Sequence, residues 1–201
     1  MWKKAFVGFM VLLAVALSAG SLWFFSNYAI VKGNIVIREF ETDELYIMTS
    51  HDELHHFDIE IAQSEAEKRQ GMMFRSHMPS NFGMLFPFDP PQSVSFWMKN
   101  VYVPLDFIFL TSEGRIVAMT ENNTPHDETA VNTGDFAVAA VLEVPAWTRR
   151  RLGLKPGDFV LHSFFDTPPE ATERFDRIMS EKGVSSESET DLTEKFDLSP
   201  E

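Results

Sequence analysis

The sequence predicts a mainly β fold, an antiparallel β-sandwich or barrel with two short helices, behind an N-terminal transmembrane or signal helix. Three observations carry that reading. Phe57, Ile59 and Ile61 alternate with Asp58 and Glu60, the period-two signature of a half-buried strand. Further short apolar runs follow without the strand–helix alternation of a parallel α/β sheet. Nineteen Phe among 44% hydrophobic residues are enough for a sizeable core.

At the N-terminus, Lys3 and Lys4 precede an uncharged, mostly apolar run from Ala5 to Phe25. Its 21 residues would span about 31 Å as a helix, close to a bilayer core. Two lysines before the run, and none until Lys32, put the amino terminus on the cytoplasmic side. Ala14-Val15-Ala16 and Ala16-Leu17-Ser18 offer cleavage sites, so residues 1–28 are a signal peptide or an uncleaved membrane anchor. The continuation through Leu22-Trp23-Phe24-Phe25 favours the anchor. The expected location is extracytoplasmic, on the periplasmic side, anchored in the cytoplasmic membrane by residues 5–25, or secreted if cleaved.

Residues 29–45 read as a stem and first strand, and residues 46–165 as the β-sandwich domain. Within it, Ser64-x-x-Glu67 is a capping box that opens a short helix through Arg69, closed by Gly71. Phe82 to Phe88 is aromatic but broken by Gly83 and Pro87, which predicts a packed loop. Ser93 to Lys99 reads as a strand. Leu105 to Leu110 is another, joined through Ser112-Glu113-Gly114 to Arg115–Thr120 as a hairpin. Phe136 to Glu143 is a further strand, Pro145 to Leu152 a short helix stopped by Gly153, and Phe159 to Phe164 the last strand. Residues 166–201 are rich in Glu, Asp, Ser, Thr and Pro, with sparse apolar residues, and predict an acidic disordered tail.

Charge and composition exclude several functions. The formal net charge is -13, and without Lys3 and Lys4 the remainder holds 15 cations against 30 anions. Such a chain has no basic footprint for gripping a phosphate backbone, so no nucleic-acid partner is expected. With no cysteine, disulfides, thiolate catalysis and iron–sulfur clusters are excluded. The nucleophile-elbow, zincin, Walker and dinucleotide signatures are all missing.

One stretch stands out: Ser95-Phe96-Trp97-Met98-Lys99-Asn100, then Val103-Pro104-Leu105-Asp106. Asp106 enters an otherwise apolar strand, where a carboxylate needs a cation or several donors. Lys99 is its nearest partner in sequence. The pair is expected either to pin a loop crossing or to line a pocket floored by Trp97.

Glu67-Lys68-Arg69-Gln70-Gly71-Met72-Met73-Phe74-Arg75, Gly83-Met84-Leu85-Phe86, Phe96-Trp97-Met98-Lys99-Asn100, Pro104-Leu105-Asp106 and Val141-Leu142-Glu143 stand in an order that resembles the uncharacterised family called domain of unknown function 192. The resemblance covers about Phe57 to Phe165. It implies a compact sandwich of jelly-roll type, often exported, with no established activity. This sequence departs from the family pattern at Trp147, where a small residue is common, and in lacking cysteine between Asn122 and Thr133.

Weaker signals have ordinary readings. His51, His55 and His56 lack a fixed ligand spacing and read as a solvated cluster, so no metal is expected. Met72, Met73, Met78, Met84 and Met98 read as gap-fillers of an aromatic core. Arg149-Arg150-Arg151 reads as pairing with the chain's own carboxylates.

The expected function is a non-enzymatic binding or accessory module of the cell envelope, needing no cofactor. Its ligand would be a small polar molecule, a glycan or a partner protein, held by Trp97, Lys99, Asn100, Asp106, Asn122 and Glu143. Two alternatives stand beside it: an enzyme using Asp106 or Glu143 as acid or base with Lys99 as stabiliser, and a purely structural domain.

Overall fold

A computed structural model describes residues 28–31, 34–37 and 39–183. The expected signal or anchor segment lies outside them. Among the described residues, no helix is long and apolar enough to cross a membrane.

The chain divides into two compact units, Met1–Glu39 and Phe40–Glu201. In the first, β1 (Tyr28–Val31) and β2 (Asn34–Ile37) pair as an antiparallel hairpin where a stem was expected. The second holds one seven-stranded sheet. Its strands are β3 (Glu41–Met48), β4 (Leu54–Ile61), β5 (Phe82–Gln92), β7 (Leu105–Leu110), β8 (Ile116–Asn123), β10 (Val138–Pro145) and β11 (Phe159–Leu161). A two-stranded ribbon, β6 (Ser95–Phe96) with β9 (Val131–Asn132), stands apart. Among the described residues, three helices complete the unit: α1 (Glu65–Gln70), α2 (Thr148–Leu152) and α3 (Pro169–Glu181).

The strand order is β11-β3-β4-β5-β10-β7-β8. All neighbours are antiparallel except β4 and β5, which run parallel. The antiparallel expectation is therefore corrected to a mixed sheet. The cause is the crossover from β4 to β5, residues 62–81, which carries α1 and returns the chain in the same direction. The jelly-roll sandwich gives way to one curled sheet, a half-barrel. Its two outer strands approach each other at one end, where Arg115 bridges Phe159 and the Val160 N–H donates to Gly114 O at 2.8 Å.

Curling divides the core. The inner face draws Leu45, Phe57, Leu85, Ile108, Ile116, Leu142 and Val160 from all seven strands. On the outer face, Met84, Phe86, Phe107, Phe109 and Val141 are covered by the loops bearing Met72, Met98 and Val101. Met73 and Met78 pack beside them, so the methionines do fill an aromatic core.

The sheet takes residues that the sequence assigned elsewhere. Phe82–Phe88 is not a loop but the heart of β5. Pro87 is tolerated because it follows the last β4 pair, Ile61 with Leu85, where β5 keeps a neighbour on one side only. The expected strand over Ser93–Lys99 shrinks to Ser95–Phe96, and Lys99 and Asn100 form a turn closed by the Val101 N–H donating to the Met98 carbonyl at 3.1 Å. The capping box is present in both halves, with Glu67 N donating to Ser64 Oγ and Ser64 N to Glu67 Oε2.

Part of the segment expected as an acidic tail, Pro169–Glu181, is the helix α3. Ala171, Phe175, Ile178 and Met179 recur at helical spacing, so their few side chains share one face of α3. That face covers Met48, Phe159 and Leu161 on the outer side of β3 and β11. The periodicity outweighs the polar composition. The rest of the expected tail, from residue 184, lies outside the described residues.

Candidate functional site

Asp106 lies on β7, fully buried, and makes no ion pair with Lys99, which bonds to Glu128 instead. Its Oδ1 accepts the Asn122 N–H at 2.8 Å and the Trp147 N–H at 3.1 Å, and its Oδ2 accepts the Arg149 N–H at 2.9 Å. Three backbone donors meet the charge, so no cation is required. The expected Lys99–Asp106 pair is thus corrected. Lys99 is half exposed and reaches Glu128 at 3.2 Å. Asp106 instead fastens the start of α2, whose own N-cap, Trp147, supplies no side-chain bond and stands at φ 68°. A positive φ is the conformation in which glycine is unstrained, which fits the small residue common there in the resembled family. Asn122 serves through its backbone, also at positive φ.

Glu143 lies on β10, paired with Met84 of β5 on one side and Phe107 of β7 on the other. Beyond Met84 the same row reaches Glu60 of β4. Register partners share a face, so Glu60, Met84, Glu143 and Phe107 all point outward from the curl. The two carboxylates stand on the order of 10 Å apart, two strand spacings. Glu60, on the polar side of the alternation in β4, is buried, and Arg75 from the crossover binds it. The Arg75 guanidinium also lies over the Phe82 ring, 5.4 Å from its centroid.

Glu143 has no such partner. Its Oε2 is buried without a hydrogen bond. Burial raises its pKa to about 8, against the opposing pull of the Arg75 charge. At neutral pH it is mostly a neutral carboxylic acid, able to donate and to accept.

Beside Glu143 opens a cavity of about 300 Å³. One wall is the end of α1 and its following turn, with Gln70, Met72 and Met73; the other is the turn after β6, with Phe96, Trp97 and Lys99. Gln70 Oε1 is a second buried acceptor without a partner. Phe96 fixes its wall by edge contact with Phe86, centroids 5.1 Å apart. Asn100 joins the two walls: at φ 57° it turns the chain, and its carbonyl accepts the Phe74 N–H at 2.8 Å.

Of the six expected ligand-binding residues, Trp97, Lys99 and Glu143 line this one cavity and Asn100 braces it. Asp106 and Asn122 belong to the α2 fastening on the inner face. Sequence reasoning missed Gln70, Met72 and Met73 as parts of the site, and the Glu60–Arg75 pair in the strand row that holds Glu143. The capping box had placed Gln70 at a helix end, but nothing local says that this end faces Trp97.

Elsewhere, Glu44, His56 and Asp58 each bring one possible metal-ligand atom within 4.8 Å of the others, at the surface of β3 and β4. The protein already uses them: His56 reaches Glu44 at 3.2 Å, and Asp58 accepts from Asn81 at 3.1 Å. Arg150 pairs with Glu121 at 2.7 Å, while Arg151 donates to the Ser80 carbonyl at 2.8 Å.

The family model DUF192, described as "Uncharacterized ACR", matches residues 46–162. Comparison with curated proteins gives no match. Among solved structures, a candidate transcription regulator from Sinorhizobium meliloti 1021 is 36% identical with a TM-score of 0.60, the match covering 62% of this chain and 96% of that one. A protein of unknown function from Novosphingobium aromaticivorans DSM 12444 is 33% identical with a TM-score of 0.56, covering 66% and 91%.

Proposed function

The chain belongs to the family of domain of unknown function 192, and from that premise we propose that it is a non-enzymatic module binding a small polar ligand in the cavity beside Glu143. One observation supports this reading above the others. A buried carboxyl oxygen without a partner faces a cavity walled by Trp97 and Gln70. Folding ordinarily leaves few such atoms, because each orphan costs about 1–3 kcal/mol. A ligand hydroxyl or amide would satisfy it. The motifs that resemble the family supply much of the wall, including Gln70, Met72, Phe86, Trp97, Lys99 and Glu143.

The enzymatic alternative loses one of its two carboxylates, since Asp106 is spent on three backbone N–H groups. The regulator description of the Sinorhizobium meliloti protein is said of that protein; for this chain, a net charge of -13 argues against a duplex partner. The setting we propose is the outer side of the cytoplasmic membrane, supported by Lys3, Lys4 and the apolar run that follows them.

The test is a thermal-shift screen of the full chain against small hydroxyl- and amide-bearing compounds, saccharides included. A ligand at 100 times its Kd stabilises by about 2.7 kcal/mol. We expect at least one compound whose stabilisation disappears in both Glu143→Leu and Trp97→Ala. A screen whose every hit survives both substitutions, or one with no hit, removes the reading.

A further inference from the structure

Three cations surround the mouth of the Glu143 cavity: Lys68, Arg69 and Lys99. Two carboxylates share that lining, Glu65 and the buried Glu143, and Glu128 adjoins it through its pair with Lys99. In a chain with 17 Lys and Arg against 30 Asp and Glu, three cations to two carboxylates in the lining is a local inversion of charge. Lys68 is largely buried, over the Phe88 ring and 3.9 Å from Glu65. The other two cations are open to solvent: Arg69 is exposed, and the Lys99–Glu128 pair is exposed on both sides. Exposed pairs of that kind are weak and exchange readily.

The same lining carries aromatic side chains. Lys68 Nζ stands 4.7 Å from the centroid of the Phe88 ring, and Trp97, 53% exposed, is another lining residue. Two buried oxygens without partners, on Gln70 and Glu143, belong to the same lining. The cavity therefore combines cations, aromatic rings and buried polar acceptors.

We propose that the ligand is a small organic anion, with its carboxylate, sulfate or phosphate head at Lys68, Arg69 and Lys99 and an apolar or aromatic body between Trp97 and Phe88. An N–H or O–H at its far end would complete the buried oxygens. The inference rests on the binding reading above and narrows it. An acidic surface repels anions at large, whereas a cationic mouth with low-dielectric walls concentrates the local field, so the mouth also selects what enters.

The test compares two nearly isosteric probes on the full chain by calorimetric titration, 1-naphthylacetate (anionic) and 1-naphthylacetamide (neutral). We expect the anion to bind at least tenfold tighter. The gap should close in Arg69→Gln/Lys99→Gln and at 0.5 M salt, while Trp97→Ala weakens both probes. Arg69 is exposed and Lys99 half exposed, and unchanged melting curves would verify that the double variant is folded. Equal binding of the two probes, still sensitive to Trp97→Ala, overturns the anion inference and leaves the cavity reading standing. Failure of both probes to bind, or binding indifferent to Trp97→Ala, overturns both.

Discussion

Asp106 and Glu143 sit on adjacent strands, one register step apart, and point to opposite faces of the same sheet. Asp106 is paired with Val144, whose side chain is in the inner core, and Glu143 with Phe107, whose side chain is in the outer one. Two buried carboxylates brought together by the β7–β10 ladder thus have unrelated duties. One is saturated by backbone donors, and the other is left open toward a cavity.

For Asp106, we expect Asp106→Ala to cost about 3–5 kcal/mol, because it strands the N–H groups of Asn122, Trp147 and Arg149. Lys99→Met should cost less than about 1 kcal/mol, and the two effects should simply add. Chemical denaturation of the singles and the double gives the answer. A coupling above about 1 kcal/mol would contradict the separation described here.

The buried pair that matters is Glu60 with Arg75. Removing either partner alone, as in Arg75→Met, leaves the other's charge uncompensated at about 3–5 kcal/mol. Glu60→Leu combined with Arg75→Met should recover most of that loss. Equilibrium unfolding in urea would measure it, and a double variant no more stable than the worse single would count against a paired role.

Glu143 makes stability depend on pH in a definite direction. Its folded pKa, about 8, is raised above the ordinary 4.5 by burial, so its contribution is fully present below about pH 4.5 and lost as pH rises toward 8. The slope is about 1.4 kcal/mol per pH unit at most. Glu143→Gln removes the titration. Its melting temperature relative to the parent should therefore climb from pH 5 to pH 8, corresponding to at most about 4 kcal/mol. Parallel melting curves at the two pH values would refute a buried, protonated Glu143.

Helix α3 belongs to the folded unit. Cutting after Asp166 uncovers Met48, Phe159 and Leu161, and Phe175→Ala alone should cost about 3–5 kcal/mol. Differential scanning calorimetry should register a clear drop for both. A change under about 2 °C after truncation would restore the sequence-based picture of a tail without structural weight.

How much could be read from the chain depends on whether a signal is local. The capping box at Ser64 and Glu67, the Leu105–Leu110 strand and the Gly153 stop are encoded within a few residues, and each appears where expected. Phe82–Phe88 was misread, and the burial of Glu60 went unread, because their surroundings are distant: β4 and β10 flank the first, and Arg75 covers the second. The site divided in the same way. Trp97, Lys99 and Glu143 stood out by residue type, but only the crossover between parallel strands brings Gln70 and Met72 against them. Asp106 was rightly singled out as a costly charge and wrongly partnered, since backbone donors leave no trace in sequence.

The position of β10 has a kinetic consequence. It is the strand between β5 and β7, and without it the sheet separates into β11-β3-β4-β5 and β7-β8. Its ladder joins Glu143 to Met84 and so closes a long stretch of chain before any contact repays the lost entropy. Neither half of the sheet has a finished core until that strand arrives, so insertion of β10 is the step on which folding speed should depend. Val141→Ala, at the centre of the strand, is then expected to slow refolding in stopped-flow measurements more than it accelerates unfolding. The residue preceding the site by two positions would thereby set how fast the site comes into being.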